Sequence, residues 1–172
     1  MNDYKVKIVK LNDPVFRMCI ELCANQYKQT YKTDNVNIYD SYLALTKCVF
    51  EDGRFKEKLI SCAGFRKANS KYLYSEAYMD APIESVISSM ENESISRDVI
   101  FEVGSFTSIN SSGALELIKV MNYTFWALGL RYALITGVPY IISALKRINM
   151  NVNEICCAET DEATMKKWGN VL

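Results

Sequence analysis

The stretch Ile100-Phe-Glu-Val-Gly-Ser-Phe-Thr107 decides the fold, because it predicts a buried strand that leads into a loop and a helix. We predict the strand over Val99–Thr107 and a loop of small polar residues over Ser108–Ser112. Gly113–Leu128 carries apolar residues at helical spacing, and Gly129 ends the helix in the position that glycine prefers. Such a unit is a natural anion-binding site, since the first N–H groups of a helix are unpaired and partly positive.

The elements around this unit are predicted from apolar periodicity and turn residues. Asp13 and Pro14 begin a helix that runs to Tyr31, with Asp13 as the N-cap. Asp52-Gly53 predicts a hairpin turn. The other predicted elements are strands Tyr4–Leu11, Ser41–Glu51, Lys58–Arg66 and Tyr72–Met79, helix Ile83–Met90, strand Arg131–Gly137, helix Pro139–Ile148, strand Val152–Ala158 and a partly helical tail, Asp161–Leu172.

This order of elements predicts a mixed α+β or α/β fold. An antiparallel meander is followed by β-α-β-α, and helices cover both faces of a central mixed sheet. The chain has 172 residues, a length that suits one domain over residues 1–172.

The composition excludes several classes of function. Twenty basic and twenty acidic residues give a formal net charge of zero, so we expect no nucleic-acid partner. The absence of histidine excludes a Ser-His-Asp triad, a Cys-His dyad and a His-ligated metal site, and we expect no metal. With neither a secretion signal nor a long apolar run, we expect a cytoplasmic protein without stable membrane insertion. We interpret the six cysteines as buried thiols in a reducing compartment.

The loop before the Gly113 helix is the predicted binding site for the donor. The pyrophosphate of coenzyme A or the phosphopantetheine of a carrier protein would fit it, with Gly113 allowing close approach to the backbone. The alternative is that the loop merely caps a helix. The donor-binding residues that we predict are Gly104, Ser105, Phe106, Thr107, Ser111, Ser112, Gly113 and Ala114.

Two glutamates within predicted strands are the candidate catalytic residues. Acidic residues are depleted in strands, and a carboxylate that faces a cleft is a credible general base, so we single out Glu102 and Glu76. A period of two would put Glu76 on one face with three tyrosines and so suggests a pocket for the acceptor or the acyl chain. The alternative is a half-exposed face with Glu76 paired to an arginine. The predicted pocket residues are Tyr72, Tyr74, Tyr78, Arg66 and Arg97.

Several motifs together resemble the bacterial thermostable hemolysin family. They are Ser61-Cys-Ala-Gly-Phe-Arg66, Leu73-Tyr-Ser-Glu-Ala-Tyr-Met-Asp-Ala-Pro-Ile-Glu84, Ser96-Arg97, Phe101-Glu-Val-Gly-Ser-Phe-Thr107, Gly113-Ala114 and Trp168-Gly169. The long motif, in which Met79 replaces a leucine of the family pattern, is the most specific of them.

The resemblance implies a GNAT-like fold similar to that of acyl-homoserine-lactone synthases and long-chain N-acyl amino acid synthases. In those enzymes a glutamate on the corresponding strand is proposed to act through water as base on an amine, which would place Glu102 in that role. The resemblance also implies an acyl donor on coenzyme A or acyl carrier protein, as a co-substrate rather than a permanently bound cofactor. The Ser108–Gly113 loop lacks the Arg or Gln and the second Gly of the usual GNAT pyrophosphate motif.

The sequence therefore predicts an N-acyltransferase that moves an acyl group from a thioester to a small-molecule amine by direct transfer. The protein partners that we consider are an acyl carrier protein and a second copy of the chain. One alternative is a GNAT-fold module that binds an acyl thioester or a protein without catalysis. The other is a membrane-active, hemolysin-like protein.

Overall fold

The computed structural model describes residues 4–32, 34, 36–69, 72–137 and 139–158, which form one mixed sheet of five strands with four α-helices. The strands are β1 (Tyr4–Lys10), β2 (Ser41–Glu51), β3 (Arg54–Lys67), β4 (Ile100–Ser108) and β5 (Tyr132–Ile135). The α-helices are α1 (Pro14–Tyr31), α2 (Ile83–Glu91), α3 (Ser111–Ala127) and α4 (Pro139–Arg147). None of these helices is long and apolar enough to cross a membrane.

The strands lie in chain order across the sheet. Strands β1 to β4 are antiparallel, and β5 runs parallel to β4 after the α3 crossover. Helix α1 packs on one face of the sheet, where Cys19 contacts a cluster that includes Cys62. Helix α3 packs on the other face, where Phe125 lies against Phe65 and Phe101. The predicted meander, the following β-α-β-α unit and the helices on both faces are confirmed.

The β2–β3 hairpin is tighter than predicted. Strand β3 begins at Arg54 rather than Lys58, so Asp52 and Gly53 form a two-residue turn. Both turn residues have positive φ angles, 54° and 76°, as hairpin turns of this length require. The predicted start came too late because the first residues of β3, including Phe55, are exposed and carry no alternating burial signal.

Helix ends follow their capping residues. Asp13 accepts a hydrogen bond from the Val15 N–H at 2.8 Å, which confirms the predicted start of α1. Helix α3 begins at Ser111, earlier than predicted, because the Asn110 side chain caps it and accepts from the Gly113 N–H at 2.7 Å. Gly129 follows α3 with a φ of 76°, in agreement with the predicted stop.

The cysteines divide into two groups. Cys19, Cys23 and Cys62 are buried between α1 and the sheet, as predicted for core thiols. Cys48, Cys156 and Cys157 are exposed, and the expectation of burial was wrong for them. The exposed group lies in the outer half of β2 and in the chain after α4, where the core clusters do not reach.

The segment predicted as strand Tyr72–Met79 is instead a 3-10 helix, Tyr74–Tyr78, which we call the 74–78 helix. Its backbone donors are taken by side chains rather than by a neighbouring strand: Tyr74 and Ser75 N–H donate to Glu102, and Leu73 N–H donates to Glu76. The tyrosines favour a strand locally, but these non-local carboxylates override that preference. The predicted single face of tyrosines and Glu76 was therefore wrong.

A buried ion pair fixes the other side of the 74–78 helix. Both oxygens of Glu76, which is 2% exposed, accept hydrogen bonds from the Arg97 guanidinium at 2.7 Å. Arg97 precedes β4 in the second 3-10 helix, Arg97–Val99, and also binds Glu84 of α2. The pairing of Glu76 with Arg97, considered above as an alternative, is thus what the structure contains.

The predicted last strand, Val152–Ala158, was also wrong, since these residues have no regular secondary structure. Ile155 packs against the cluster beneath α2, and the Cys156 thiol donates to the Tyr78 carbonyl at 3.3 Å. The segment is thus held by side-chain contacts rather than by a strand ladder. The predicted tail helix, Asp161–Leu172, lies outside the described residues.

Two glycines on adjacent strands make room for one aromatic ring. Gly64 of β3 and Gly104 of β4 are directly paired, and the Tyr39 side chain lies across both. A Cβ atom on Gly64 would come within 2.5 Å of Tyr39 Cδ2, and one on Gly104 within 2.1 Å of the Tyr39 hydroxyl. Glycine is therefore required at both positions for Tyr39 to reach the sheet.

We expect Gly104→Ala to lower the free energy of unfolding by about 1–3 kcal/mol, because Tyr39 must move to admit the methyl group. Gly137→Ala is the matched control, since its Cβ would meet Ile141 no closer than 3.5 Å, and we expect a change within about 0.5 kcal/mol. Urea denaturation measures both variants. Equal stabilities of the two variants would show that Tyr39 does not occupy this position.

The Glu76–Arg97 pair predicts a pH-dependent stability. Burial acts to raise the pKa of Glu76, but the hydrogen bonds from Arg97, Leu73 and Ile83 outweigh it and hold the pKa below its usual 4.5. Stability from this group is therefore complete at neutral pH and is lost as the pH falls through the lowered pKa. We expect Glu76→Gln to cost about 2–3 kcal/mol at pH 7 and the difference from wild type to shrink in acid.

Urea denaturation between pH 7 and pH 3 measures this effect. Glu84→Gln is the control, because Glu84 binds the same arginine but is 32% exposed, and such a partly solvated pair contributes about 0–1 kcal/mol. Stability curves for Glu76→Gln and wild type that stay parallel down to pH 3 would contradict the assignment.

Candidate functional site

Glu102 lies in the middle of the sheet with its side chain on the α1 face. Its neighbours Phe101 and Val103 pack into the cluster beneath α3, so strand alternation turns Glu102 to the opposite side. There it is the direct cross-strand partner of Arg66 and is 1% exposed. A carboxylate at this depth requires hydrogen-bond partners, because burying it without them is costly.

Three donors from the 74–78 helix supply these partners. The Tyr74 N–H donates to Oε2 at 2.9 Å, and the Ser75 N–H donates to Oε1 at 2.6 Å. The Ser75 hydroxyl donates to the same Oε1 at 2.5 Å. A carboxylate has about four lone-pair directions, so most of the hydrogen-bonding capacity of Glu102 is already used.

Strands β4 and β5 part immediately after Glu102. Their pairing runs from Ile100 to Val103 on β4 and stops at Ile135 on β5. At the same level β4 contains a bulge, in which Ser105 and Phe106 together lie opposite the single residue Ala63. A bulge leaves backbone groups out of the ladder, and the parting strands leave the β5 side of β4 open.

Ser105 is the conformationally unusual residue of the bulge. Its φ is +47°, in the left-handed region that non-glycine residues rarely adopt. Two contacts hold it there: its hydroxyl donates to the Asn37 carbonyl at 2.8 Å, and its own carbonyl accepts from the Cys23 thiol at 3.2 Å. Such strain, when over-determined by neighbours, is characteristic of functional sites.

A pocket of about 150 Å³ opens where the strands part. Its floor includes Glu102, Gly104 and Ser105 of β4, and Thr136 lies directly after β5. Four tyrosines form most of the rest of the wall: Tyr27, Tyr39, Tyr74 and Tyr78. Among the described residues no group of three or more Cys, Asp or Glu side chains could hold a metal ion.

Arg66 stands behind the tyrosine wall and does not line the pocket. Its guanidinium lies 4.0 Å from the ring centroid of Tyr74 and 5.3 Å from that of Tyr39. It donates to the carbonyls of Ile38 and Tyr72 at 3.2 and 3.4 Å. Cation–π contacts of this kind hold both rings in place.

The pocket tyrosines stay protonated at neutral pH. Burial, followed by the nearby charge of Glu102, raises the pKa of Tyr39 well above its usual 10. The same two causes raise the pKa of Tyr78. These phenols can therefore donate hydrogen bonds and stack, but they are poor general bases.

The structure brings five of the predicted site residues together at the pocket: Glu102, Gly104, Ser105, Tyr74 and Tyr78. Glu76 and Arg97 form the ion pair described above. Tyr72 is 52% exposed, and its hydroxyl donates to the Glu76 carbonyl. Thr107 and Phe106 belong to the far end of β4, where Thr107 is buried and Phe106 packs beneath α3.

The start of α3 differs from its predicted form as a donor site. Gly113 is buried, and a Cβ there would come within 2.5 Å of Ile60, so the glycine serves close packing of α3 on β3 rather than approach of a ligand. The Gly113 and Ala114 N–H groups already donate to Asn110. Ser111 and Ser112 are exposed at the first turn.

Sequence reasoning missed five residues of the site. Tyr27, Asn37, Tyr39 and Thr136 line the pocket, and Ser75 binds Glu102. Two glycines within strands were the available signal for Tyr39, since they mark a place where another group approaches the backbone. Ser75 and Thr136 carried no local signal.

Comparison with known proteins places this fold. The family model of thermostable hemolysins matches residues 10–171. The acyl-homoserine-lactone (AHL) synthase LasI superposes with a TM-score of 0.55 at 13% identity, over 86% of this chain and 78% of its own. A Trypanosoma brucei acetyltransferase superposes with a TM-score of 0.44 at 8% identity, over 92% and 99%.

A search of curated proteins gives no significant match. The likeness to LasI bears on the fold alone, and it confirms the predicted GNAT-like architecture. Since the family model covers nearly the whole length, the chain belongs to the thermostable hemolysin family.

Proposed function

We propose that this protein is an N-acyltransferase that moves an acyl group from a thioester to a small amine by direct transfer. The observation that carries the proposal is the position of Glu102, a buried carboxylate beside a strained bulge at the point where β4 leaves β5. A base, a set of backbone donors and a pocket then share one place, which is what acyl transfer to an amine requires.

The donor thioester lies in the gap between β4 and β5. The bulge supports this placement, because the Gly104 or Ser105 amide there can polarise a carbonyl oxygen without breaking a regular ladder. The pyrophosphate of coenzyme A, or the phosphopantetheine of an acyl carrier protein, lies at the first turn of α3, where Ser111 and Ser112 add hydroxyl donors. Since both donors are cytoplasmic molecules, we place the reaction in the cytoplasm.

The acceptor amine occupies the tyrosine pocket. Its volume of about 150 Å³ is below the roughly 300–1,000 Å³ of sites for drug-sized ligands, so a small amine fits better than a long acyl chain. The protonated rings of Tyr39 and Tyr78 offer faces and hydroxyls to a cationic or neutral amine.

The reaction needs one proton to leave the amine. The amine nitrogen attacks the thioester carbon, the N–C bond forms, the C–S bond breaks and the electron pair leaves on sulfur. Glu102 accepts the proton and later returns it to the thiolate, so that the products are an amide and a thiol. Glu76 supports the site by holding the 74–78 helix, and its predicted catalytic role is tested together with that of Glu102.

We expect the purified protein to release free thiol from acyl-CoA or acyl carrier protein in the presence of small amines. Glu102→Gln should lower kcat by about 10²–10⁴, the contribution of a positioned base. A thiol-trapping dye measures the release, and the melting temperature shows whether the variant is folded.

Glu76→Gln and Glu116→Gln are the matched controls. Glu76→Gln removes the other buried carboxylate and should lower stability more than kcat, whereas Glu116 lies on α3 and pairs with Lys119. Unchanged turnover of Glu102→Gln would remove it as the base, and a Glu76→Gln loss as large as that of Glu102→Gln would assign catalysis to both.

The same assay separates the other two candidate functions. A binding module would show thermal stabilisation by acyl-CoA without thiol release. It has one observation in its favour, since three donors already occupy the Glu102 carboxylate. A membrane-active protein would bind phospholipid vesicles and show neither effect.

A further inference from the structure

Two hydroxyl groups connect the pocket to the buried carboxylate. The Ser75 hydroxyl lies 2.5 Å from Glu102 Oε1 and 2.7 Å from the Thr136 hydroxyl. Ser75 is 3% exposed, whereas Thr136 is exposed and lines the pocket. The three groups thus form a chain from solvent-accessible space to a carboxylate that is almost wholly enclosed.

The chemistry of the three groups fixes the direction of the hydrogen bonds. An ionised carboxylate only accepts, so the single hydroxyl proton of Ser75 is donated to Glu102. Thr136 must then donate its own proton to Ser75, since Ser75 has no second hydroxyl proton. The Thr136 oxygen is left with lone pairs that can accept a hydrogen bond from a group in the pocket.

We propose that Thr136 and Ser75 form a proton relay through which Glu102 acts on the acceptor amine. This inference rests on the proposed function and deepens it: Thr136 contacts the amine, Ser75 is the positioning residue between them, and Glu102 is the final acceptor. The relay resolves a difficulty of that function, because Glu102 is 1% exposed and already accepts three hydrogen bonds.

The proton balance closes at every step. As the amine nitrogen forms its bond to the thioester carbon, its proton passes to the Thr136 oxygen. The Thr136 proton passes to Ser75, and the Ser75 proton passes to Glu102 Oε1. When the C–S bond breaks, the reverse transfers return one proton to the leaving thiolate. Each hydroxyl gives and takes one proton, and no oxidant or metal is needed.

The backbone allows a clean test of Ser75. The Ser75 N–H also donates to Glu102 Oε1, at 2.6 Å, and Tyr74 N–H holds Oε2. Ser75→Ala therefore removes the hydroxyl while two backbone donors still position the carboxylate. Thr136→Val removes the second hydroxyl at constant shape, and Thr136→Ser keeps it. Ser61→Ala is the control, because it deletes another buried hydroxyl, whose partner is the Thr107 carbonyl at 2.9 Å.

The experiment measures thiol release from acyl-CoA by wild type and the four variants, as kcat and KM across pH. We expect Ser75→Ala and Thr136→Val to lower kcat about a hundredfold at pH 7, with KM for acyl-CoA within twofold. Thr136→Ser and Ser61→Ala should stay near wild type. The deficit should disappear at high pH, and with methoxyamine as acceptor, because the amine is then deprotonated before it binds.

Each result decides the question. Wild-type rates in Ser75→Ala and Thr136→Val would overturn the relay and leave the acyltransferase intact. Equal losses in Thr136→Val and Thr136→Ser, or a deficit that persists at high pH and with methoxyamine, would show a role in shape alone and overturn it too. If wild type releases no thiol from any donor with any amine, the proposed function fails and the relay fails with it.

Discussion

The carboxylate of Glu102 joins the central sheet to the chain that covers it. Its two oxygens accept from two consecutive N–H groups and one hydroxyl of the 74–78 helix. Without that acceptor, these donors would be buried without partners, at a cost of about 1–3 kcal/mol each. The conformation of the 74–78 helix, and with it the position of Tyr74 in the pocket wall, therefore depends on a side chain from β4.

A second glutamate does the same work at the other end of this short helix, but with a cation. Glu76 accepts from Leu73 and Ile83 N–H and from both terminal nitrogens of Arg97. Removing one partner of such a buried pair leaves an uncompensated charge. The connection from β3 to β4 is thus held by two carboxylates that face in different directions, and it needs little apolar contact of its own.

The sequence predicted the elements whose signals are local. The cap at Asp13, the stop at Gly129 and the β4-α3-β5 order follow from residues adjacent to the elements that they define. The segment Tyr72–Met79 failed because its N–H groups pair with carboxylates, one of which lies 28 residues away from Tyr74. β-Propensity cannot register an acceptor that folding brings from elsewhere.

The site was predictable only where its residues lie on β4. Glu102 was found because a carboxylate inside a strand is unusual in itself. Tyr39, Ser75 and Thr136 come from three separate loops or turns, and each is of a type common on protein surfaces. Their contacts are set by the paired glycines and by the Glu102 carboxylate, which are properties of the folded chain.

Arg66 explains why the two glutamates are suited to different tasks. It is the cross-strand neighbour of Glu102, yet its guanidinium stacks on Tyr74 and donates to backbone carbonyls instead. In the part of the chain that the structure describes, Glu76 has an arginine within ion-pair distance and Glu102 has none. A carboxylate bound to a guanidinium is committed to that ion pair, whereas one held by amides and a hydroxyl keeps a partner that can exchange a proton. The diversion of Arg66 onto the tyrosines thus leaves Glu102, and not Glu76, available for chemistry.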